Sequence, residues 1–203
     1  MTGPLIAVAV IAYFLGGLPF GYWFVRLSLG KDIRTVGSGN IGATNVQRTA
    51  GTKAGIAVLL LDIAKGALAV WIGATLTHNL PLGIAVAAVA VMLGHCYPVL
   101  LKFKGGKAVA CYVGAFLYIA PLALLAAVPI FVLTVWLSRH VSLGSIVGVI
   151  VFPLLLLVIQ HPAPPILVAS VIAAALIVYR HKANIMRLRQ GTEGVFSFKG
   201  SGR

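Results

Sequence analysis

Residues 107–137 read KAVACYVGAFLYIAPLALLAAVPIFVLTVWL, with prolines at 121 and 129. How often the chain crosses a membrane turns on this stretch. It is too long to be one straight helix across ~30 Å of hydrocarbon at 1.5 Å per residue. As one kinked helix it gives six spans in all. As a short helix over 107–118, a tight turn at Pro121 and a second helix over 121–137, it gives seven. The basic residues decide, because cytoplasmic loops carry the excess of Lys and Arg. With seven spans, every Lys and Arg except Lys65 falls on one side, from Arg26 and Lys31 through Lys107 and Arg139 to Lys199 and Arg203. With six, Arg139 and the basic tail would move to the other side. The expectation is therefore an all-α integral membrane protein of seven transmembrane helices, some of them short. The spans are 4–29, 55–77, 82–101, 107–118, 121–137, 143–159 and 165–179. The N-terminus lies outside, a short basic tail over 180–203 is cytoplasmic, and residues 1–203 form one domain.

Composition points the same way. Of 203 residues, 60% are hydrophobic and 9% charged, against roughly 25% charged in soluble domains. An ordinary soluble globule is excluded, as is disorder, which requires low hydrophobicity. The 16 Lys+Arg face only 3 Asp+Glu. That scarcity argues against carboxylate-rich metal sites and paired-acid hydrolysis. Cys96 and Cys111 sit in or beside apolar stretches and read as small buried hydrophobes. No zinc spacing is present, and no metal or cofactor is expected.

The polar chemistry collects in the inner loops. The first contains Gly37-Ser38-Gly39-Asn40-Ile41-Gly42-Ala43-Thr44-Asn45, followed by Arg48. The letters match G-x-G-x-x-G, but no βαβ unit can surround them and no acidic residue follows about 20 positions on, so a dinucleotide fingerprint is excluded. Glycines still allow sharp turns that aim N–H groups at an anion. Ser38, Asn40, Thr44 and Asn45 add side-chain donors, and Arg48 adds a planar fork suited to phosphate. The second loop carries Gly94-His95-Cys96-Tyr97-Pro98 and then Phe103-Lys104-Gly105-Gly106-Lys107. Leu101 and Ala108 stand where a P-loop needs Gly and Ser/Thr, so it is not one. Gly105-Gly106 instead leads into a helix whose free N–H groups and dipole favour an anion beside Lys107. Ser142 and Ser145 open the sixth span, as donors or as caps. The tail begins Tyr179-Arg180-His181-Lys182-Ala183-Asn184, and its alternating apolar and basic residues suit a membrane surface. Asp62 and Lys65 share a helix face inside the second span, as an intramembrane functional pair or as a self-neutralising one. Asp32 and Glu193 look isolated in exposed basic segments, so no general base can be assembled with them.

These motifs, in this order and over essentially the whole chain, resemble those of the bacterial acyl-phosphate-dependent glycerol-3-phosphate acyltransferases, the PlsY family. The segments 37–45 with Arg48, 94–107 and 179–184 match its three motifs, and Asp62-x-x-Lys65-Gly66 and residues 141–145 are similar too. Cys96 and the stretch after Glu193 are peculiar to this chain. The resemblance implies transfer of a fatty acyl group from acyl phosphate to the 1-hydroxyl of sn-glycerol 3-phosphate. The partners are those two substrates and membrane lipid, with no nucleic acid and no obligate protein partner. It implies that Ser38, Asn40 and Thr44, with Gly39, cradle the acyl phosphate. Lys107, with Gly105 and Gly106, neutralises phosphate charge, and Arg48, Ser145, His181 and Asn184 hold glycerol 3-phosphate. With no protein base in sight, the expected mechanism is substrate-assisted, at the cytoplasmic face of the inner membrane. The competing reading is a transporter of phosphate or a phosphorylated metabolite. It is disfavoured by polar groups gathered on one face and by the lack of an inverted repeat.

Overall fold

The structure is a computed structural model that describes residues 2–195. Met1 and residues 196–203, including Lys199 and Arg203 of the expected tail, lie outside the described residues. Among those described, the chain is helical throughout: α1 (Thr2–Gly16), α2 (Phe20–Leu29), α3 (Ala43–Ala50), α4 (Thr52–Leu76), α5 (Pro81–Cys96), α6 (Val109–Ile119), α7 (Pro121–Ser138), α8 (Val141–Gln160), α9 (Pro164–Arg180) and α10 (Lys182–Arg189). Short 3-10 turns occupy Ile33–Thr35 and Val99–Leu101.

Each of the seven expected spans corresponds to helix, but not each is long enough to cross. Five segments are: Thr2–Leu29, Thr52–Leu76, Pro81–Leu101, Pro121–Ser138 and Val141–Gln160. A sixth is reached only by joining α9 to α10, which bend 55° apart. With 11 residues, α6 reaches only about 16 Å at 1.5 Å per residue. Its start is delayed because Ala108 takes a left-handed backbone, and its end is forced by the turn at Ala120 into Pro121. The first span is broken at Gly17-Leu18-Pro19, since proline cannot donate to a continuing helix. Helices α3 and α10 were not anticipated; both lie in the polar segments.

A short helix in a bilayer must be screened by its neighbours, and α6 is. Cys111, Tyr112, Gly114, Ala115 and Phe116 are buried. Tyr112, Phe116 and Phe152 form a ring cluster that ties α6 to α8, with centroids 4.6–5.3 Å apart. Small residues bring the helices into backbone contact, as expected where lipid removes the hydrophobic drive. Gly16 lies on the backbone of Val91 and Gly94 on that of Tyr13, joining α1 to α5. Gly66 lies on Cys111 and Gly114 on Ile63, joining α4 to α6.

The four expected inner segments meet at one end of this assembly. Arg34 donates to Leu101 O, and Arg180 to Gly105 O and Gly106 O. Arg48 donates to Gly194 O, and Ser142 to Glu193.

Candidate active site

The first loop is organised by a side chain. Asn45, buried on α3, accepts the Ser38 N–H at 2.9 Å and donates to the carbonyls of Asn40 (2.8 Å), Val36 (3.0 Å) and Ile33 (3.3 Å). Gly37 must be glycine: its φ is +60° and a Cβ would sit 2.3 Å from Asn45 Oδ1. Asn40 Oδ1 accepts the Gly42 N–H, and the Gly39 N–H goes to Val36 O. The expected anion nest of free N–H groups is therefore largely spent inside the loop, because backbone donors leaving water must be paired. Gly39 shapes the turn and has no N–H to spare. What the loop presents is its side chains, with exposed Ser38 and the Asn40 amide ahead of Thr44 in the first turn of α3. Arg48 follows one turn later on the same face.

The second loop shows the same economy. The N–H of Gly105 bonds to Cys96 O and that of Gly106 to His95 O, while their carbonyls accept from Arg180 at 2.9 and 3.0 Å. Neither glycine offers an N–H to a ligand, and the helix expected to follow them directly begins only at Val109. Lys107 follows in the loop before α6. Burial, foremost, pulls its ammonium down to about 8; Arg187, Arg48 and Arg180 push the same way, and Glu193 opposes them.

The third cluster was not foreseen. Glu193 is not isolated: its carboxylate accepts Ser142 Oγ at 2.8 Å, Asn184 Nδ2 at 2.5 Å and Arg187 Nε at 2.7 Å. Burial raises its pKa, but the hydrogen bonds from Asn184, Ser142 and Arg187 outweigh that and leave it below the usual glutamate value. Asn184 is left with a buried Oδ1 that has no hydrogen-bond partner among the described residues. His181, at the α9–α10 bend, is buried with Nδ1 2.7 Å from Ile177 O. That contact fixes the proton on Nδ1. Burial, with Lys107 adding to it, lowers its pKa to about 4. Ser145 is buried and donates back to Val141 O at 2.9 Å, so Ser142, not Ser145, joins the cluster. The other acid, Asp32, is paired with Arg34 at 2.6 Å.

Lys107 thus feels Arg48 from α3 and Arg180, Arg187 and Glu193 from the C-terminal segment, with His181 feeling Lys107 in turn. The family model for glycerol-3-phosphate acyltransferase matches residues 6–191. The chain belongs to the glycerol-3-phosphate acyltransferase family. Family members include proteins of that name from Geotalea daltonii, 46% identical over 197 residues (97% of this chain, 99% of the relative), and Syntrophotalea carbinolica, 47% identical over 186 residues (91% and 94%). The crystal structure of PlsY (YgiH), an integral membrane glycerol 3-phosphate acyltransferase, in its glycerol 3-phosphate form superposes with a TM-score of 0.90 at 37% identity, covering 96% of both chains. Its lysophosphatidic acid form gives 0.87 at 35% identity, covering 98% of both. This glycerol-3-phosphate acyltransferase family member is accordingly a multi-pass membrane protein, and the transporter reading is set aside.

Sequence reasoning on this acyltransferase-family chain missed the roles of Glu193, Arg180 and Arg187, and left Ser142 open between donor and cap. The available signal was arithmetic: with 3 acids in the whole chain, a carboxylate among arginines is seldom left unpaired. In this family member the ligand-capable atoms of Asp62, His95 and Cys111 also lie within 4.8 Å of one another. Lys65 Nζ, 2.8 Å from Asp62 Oδ1, already supplies the cation there. The Glu193 cluster carries a prediction. A carboxylate held low contributes stability that is present above its unfolded pKa of about 4.3 and is lost as pH falls through the folded value. Melting in detergent should therefore drop below about pH 4, and Glu193→Gln should flatten that drop. An unchanged acid limb in the variant would assign it elsewhere.

Proposed function

We propose that this chain transfers a fatty acyl group from acyl phosphate to the 1-hydroxyl of sn-glycerol 3-phosphate, releasing lysophosphatidic acid and inorganic phosphate. The observation that carries the reading is the half-buried Lys107 in the field of Arg48, Arg180 and Arg187, with a single carboxylate already consumed by hydrogen bonds. Two phosphates can meet only where their mutual repulsion is cancelled, and such a cluster cancels it.

In this mechanism Ser38, Asn40 and Thr44 hold the acyl phosphate with their side chains, on a loop shaped by Gly39. Lys107, seated by Gly105 and Gly106, neutralises its phosphate. Arg48 grips the phosphate of glycerol 3-phosphate. The unpartnered Oδ1 of Asn184 accepts a hydrogen bond from a glycerol hydroxyl, beside His181; Ser145 supports this wall from α8. The apolar groove between α8 and α9, lined by Ile150, Pro153, Val171, Ala174, Val178 and Tyr179, ends two residues from His181 and suits the acyl chain. The O1 oxygen attacks the acyl carbon, the acyl C–O bond to phosphate breaks, and the hydroxyl proton passes to an oxygen of the departing phosphate. Burial lowers His181 to about 4, too low for an efficient base near neutral pH, Glu193 is tied up by its hydrogen bonds, and Lys107 serves as the cation. Seven crossings with the inner loops cytoplasmic suit a bacterial inner membrane, since the segments carrying nearly all the Lys and Arg meet at one end.

The test is direct. Purified protein, acyl phosphate and glycerol 3-phosphate should yield lysophosphatidic acid and phosphate in equal amounts; well-folded protein without product refutes the reading. Arg48→Ala should raise KM for glycerol 3-phosphate about 100-fold, with a smaller change in kcat, as expected for lost substrate binding. An unchanged KM would move the phosphate away from Arg48.

A further inference from the structure

The seat of Lys107 is fixed from inside the membrane. At the break between α1 and α2 the Leu18 carbonyl accepts the Phe20 N–H at 3.2 Å and still takes a second donor from another helix, Lys65 Nζ of α4 at 2.9 Å. The same ammonium lies 2.8 Å from Asp62 Oδ1 and 5.4 Å from the centroid of Phe20. Asp62 and Lys65 are 2% and 3% exposed. Asp62 Oδ1 then faces His95 Nδ1 across 3.8 Å. This Nδ1 is buried and has no hydrogen-bond partner. The opposite edge of the ring lies against Gly106: a Cβ there would come within 2.1 Å of Nε2. Arg180 grips the carbonyls of Gly105 and Gly106 and stacks over Tyr97 at 4.9 Å. The glycine pair is thus pinned by Arg180 and by the backbone of α5, with the His95 ring as a wedge between it and Asp62.

We propose that Asp62, Lys65 and His95 form a positioning relay. Anchored at the break in the first span, it sets the height of Gly106 and so the reach of Lys107 toward the transferred phosphate. The proposal rests on the acyltransferase reading of Lys107. Its physical basis is that a buried ion pair gives little net stability and is commonly replaceable by a neutral pair of similar volume. An ion pair that only plugged the α1–α2 break would be dispensable in that way. A pair that also fixes a wedge under the catalytic loop would not be, because about 1 Å of displacement at a reacting group costs on the order of 100-fold in rate.

Three variants in detergent decide it: the double variant Asp62→Asn/Lys65→Met, the single variant His95→Gln, and the three changes combined. The double variant should melt close to wild type yet lose about 100-fold in kcat, with KM for glycerol 3-phosphate nearly unchanged. His95→Gln should show the same split. The triple variant should be no worse than either, since members of one relay are not additive. Wild-type kcat in the well-folded double variant, or losses that multiply in the triple variant, would overturn the relay. Should the double variant fail to fold, His95→Gln decides alone, supporting the relay by a loss confined to kcat and overturning it by unchanged turnover. A wild type that makes no lysophosphatidic acid overturns the acyltransferase reading and the relay with it. Wild-type product with undiminished variants overturns the relay only.

Discussion

Lys107→Ala is expected to lower kcat about 1,000-fold, the upper range for removing one donor from a site where charge develops. KM for glycerol 3-phosphate should move only a few-fold, because Arg48 and the Asn184 wall remain. The charge at risk is one the fold does not welcome: burial and three arginines pull Lys107 down to about 8. Two consequences separate this from a folding defect. In the free enzyme, kcat/KM should fall as pH rises through about 8, when the ammonium loses its proton. Lys107→Arg should remove that basic limb even if it is slower. In the stability direction the sign is opposite to the common case. A lysine whose folded pKa is lowered binds its proton less tightly when folded, so it costs stability below about pH 8, and the cost fades between 8 and its unfolded value near 10.4. Lys107→Ala should therefore melt at or above the wild-type temperature at pH 7 while turning over poorly. Activity lost together with melting temperature would mean that Lys107 is structural.

Asn45→Ala is expected to cost about 3 kcal/mol of stability and nearly all turnover. It removes one acceptor and two N–H donors shared among three carbonyls at a buried point, about three bonds at about 1 kcal/mol each. The Ser38 N–H loses its acceptor and the loop loses the tie between its two sides, so the exposed Ser38 hydroxyl is no longer held. Asn45→Asp should rescue little: it keeps the acceptor for Ser38 but turns a second oxygen toward three carbonyls. Thermal melting in detergent with the acyl-transfer assay checks both. A wild-type melting curve would show that the glycines alone define the loop.

Much of the architecture was legible because lipid leaves few choices. Long apolar runs, the proline at 121 and the placement of Lys and Arg located the helical segments and gathered their basic ends. Span lengths were less legible. The left-handed turn at Ala108 that trims α6 is a tertiary compromise with the Gly105-Gly106 seat, and no residue-type rule marks it. The motif residues were found, but not their division of labour. Glycine-rich loops suggest N–H nests, yet here Gly39, Gly105 and Gly106 have their N–H groups bonded to neighbouring carbonyls, a fact of packing. Asn45 and Asn184 are the same residue type with opposite fates: the first is consumed inside its loop, the second keeps a bare oxygen. Glu193 was misread because its partners, Ser142 and Asn184, come from another helix and from across a bend.

The contact between Glu193 and Ser142 also sets a clock for biogenesis. The chain is made from its N-terminus, so α1 to α9 are synthesised before the residue that ties α10 to the start of α8. Until Glu193 arrives, Asn184 and Arg187 have no carboxylate to hold them beside Lys107. The cluster that joins α10 to the start of α8 is thus assembled only after α9 and α10 have been made.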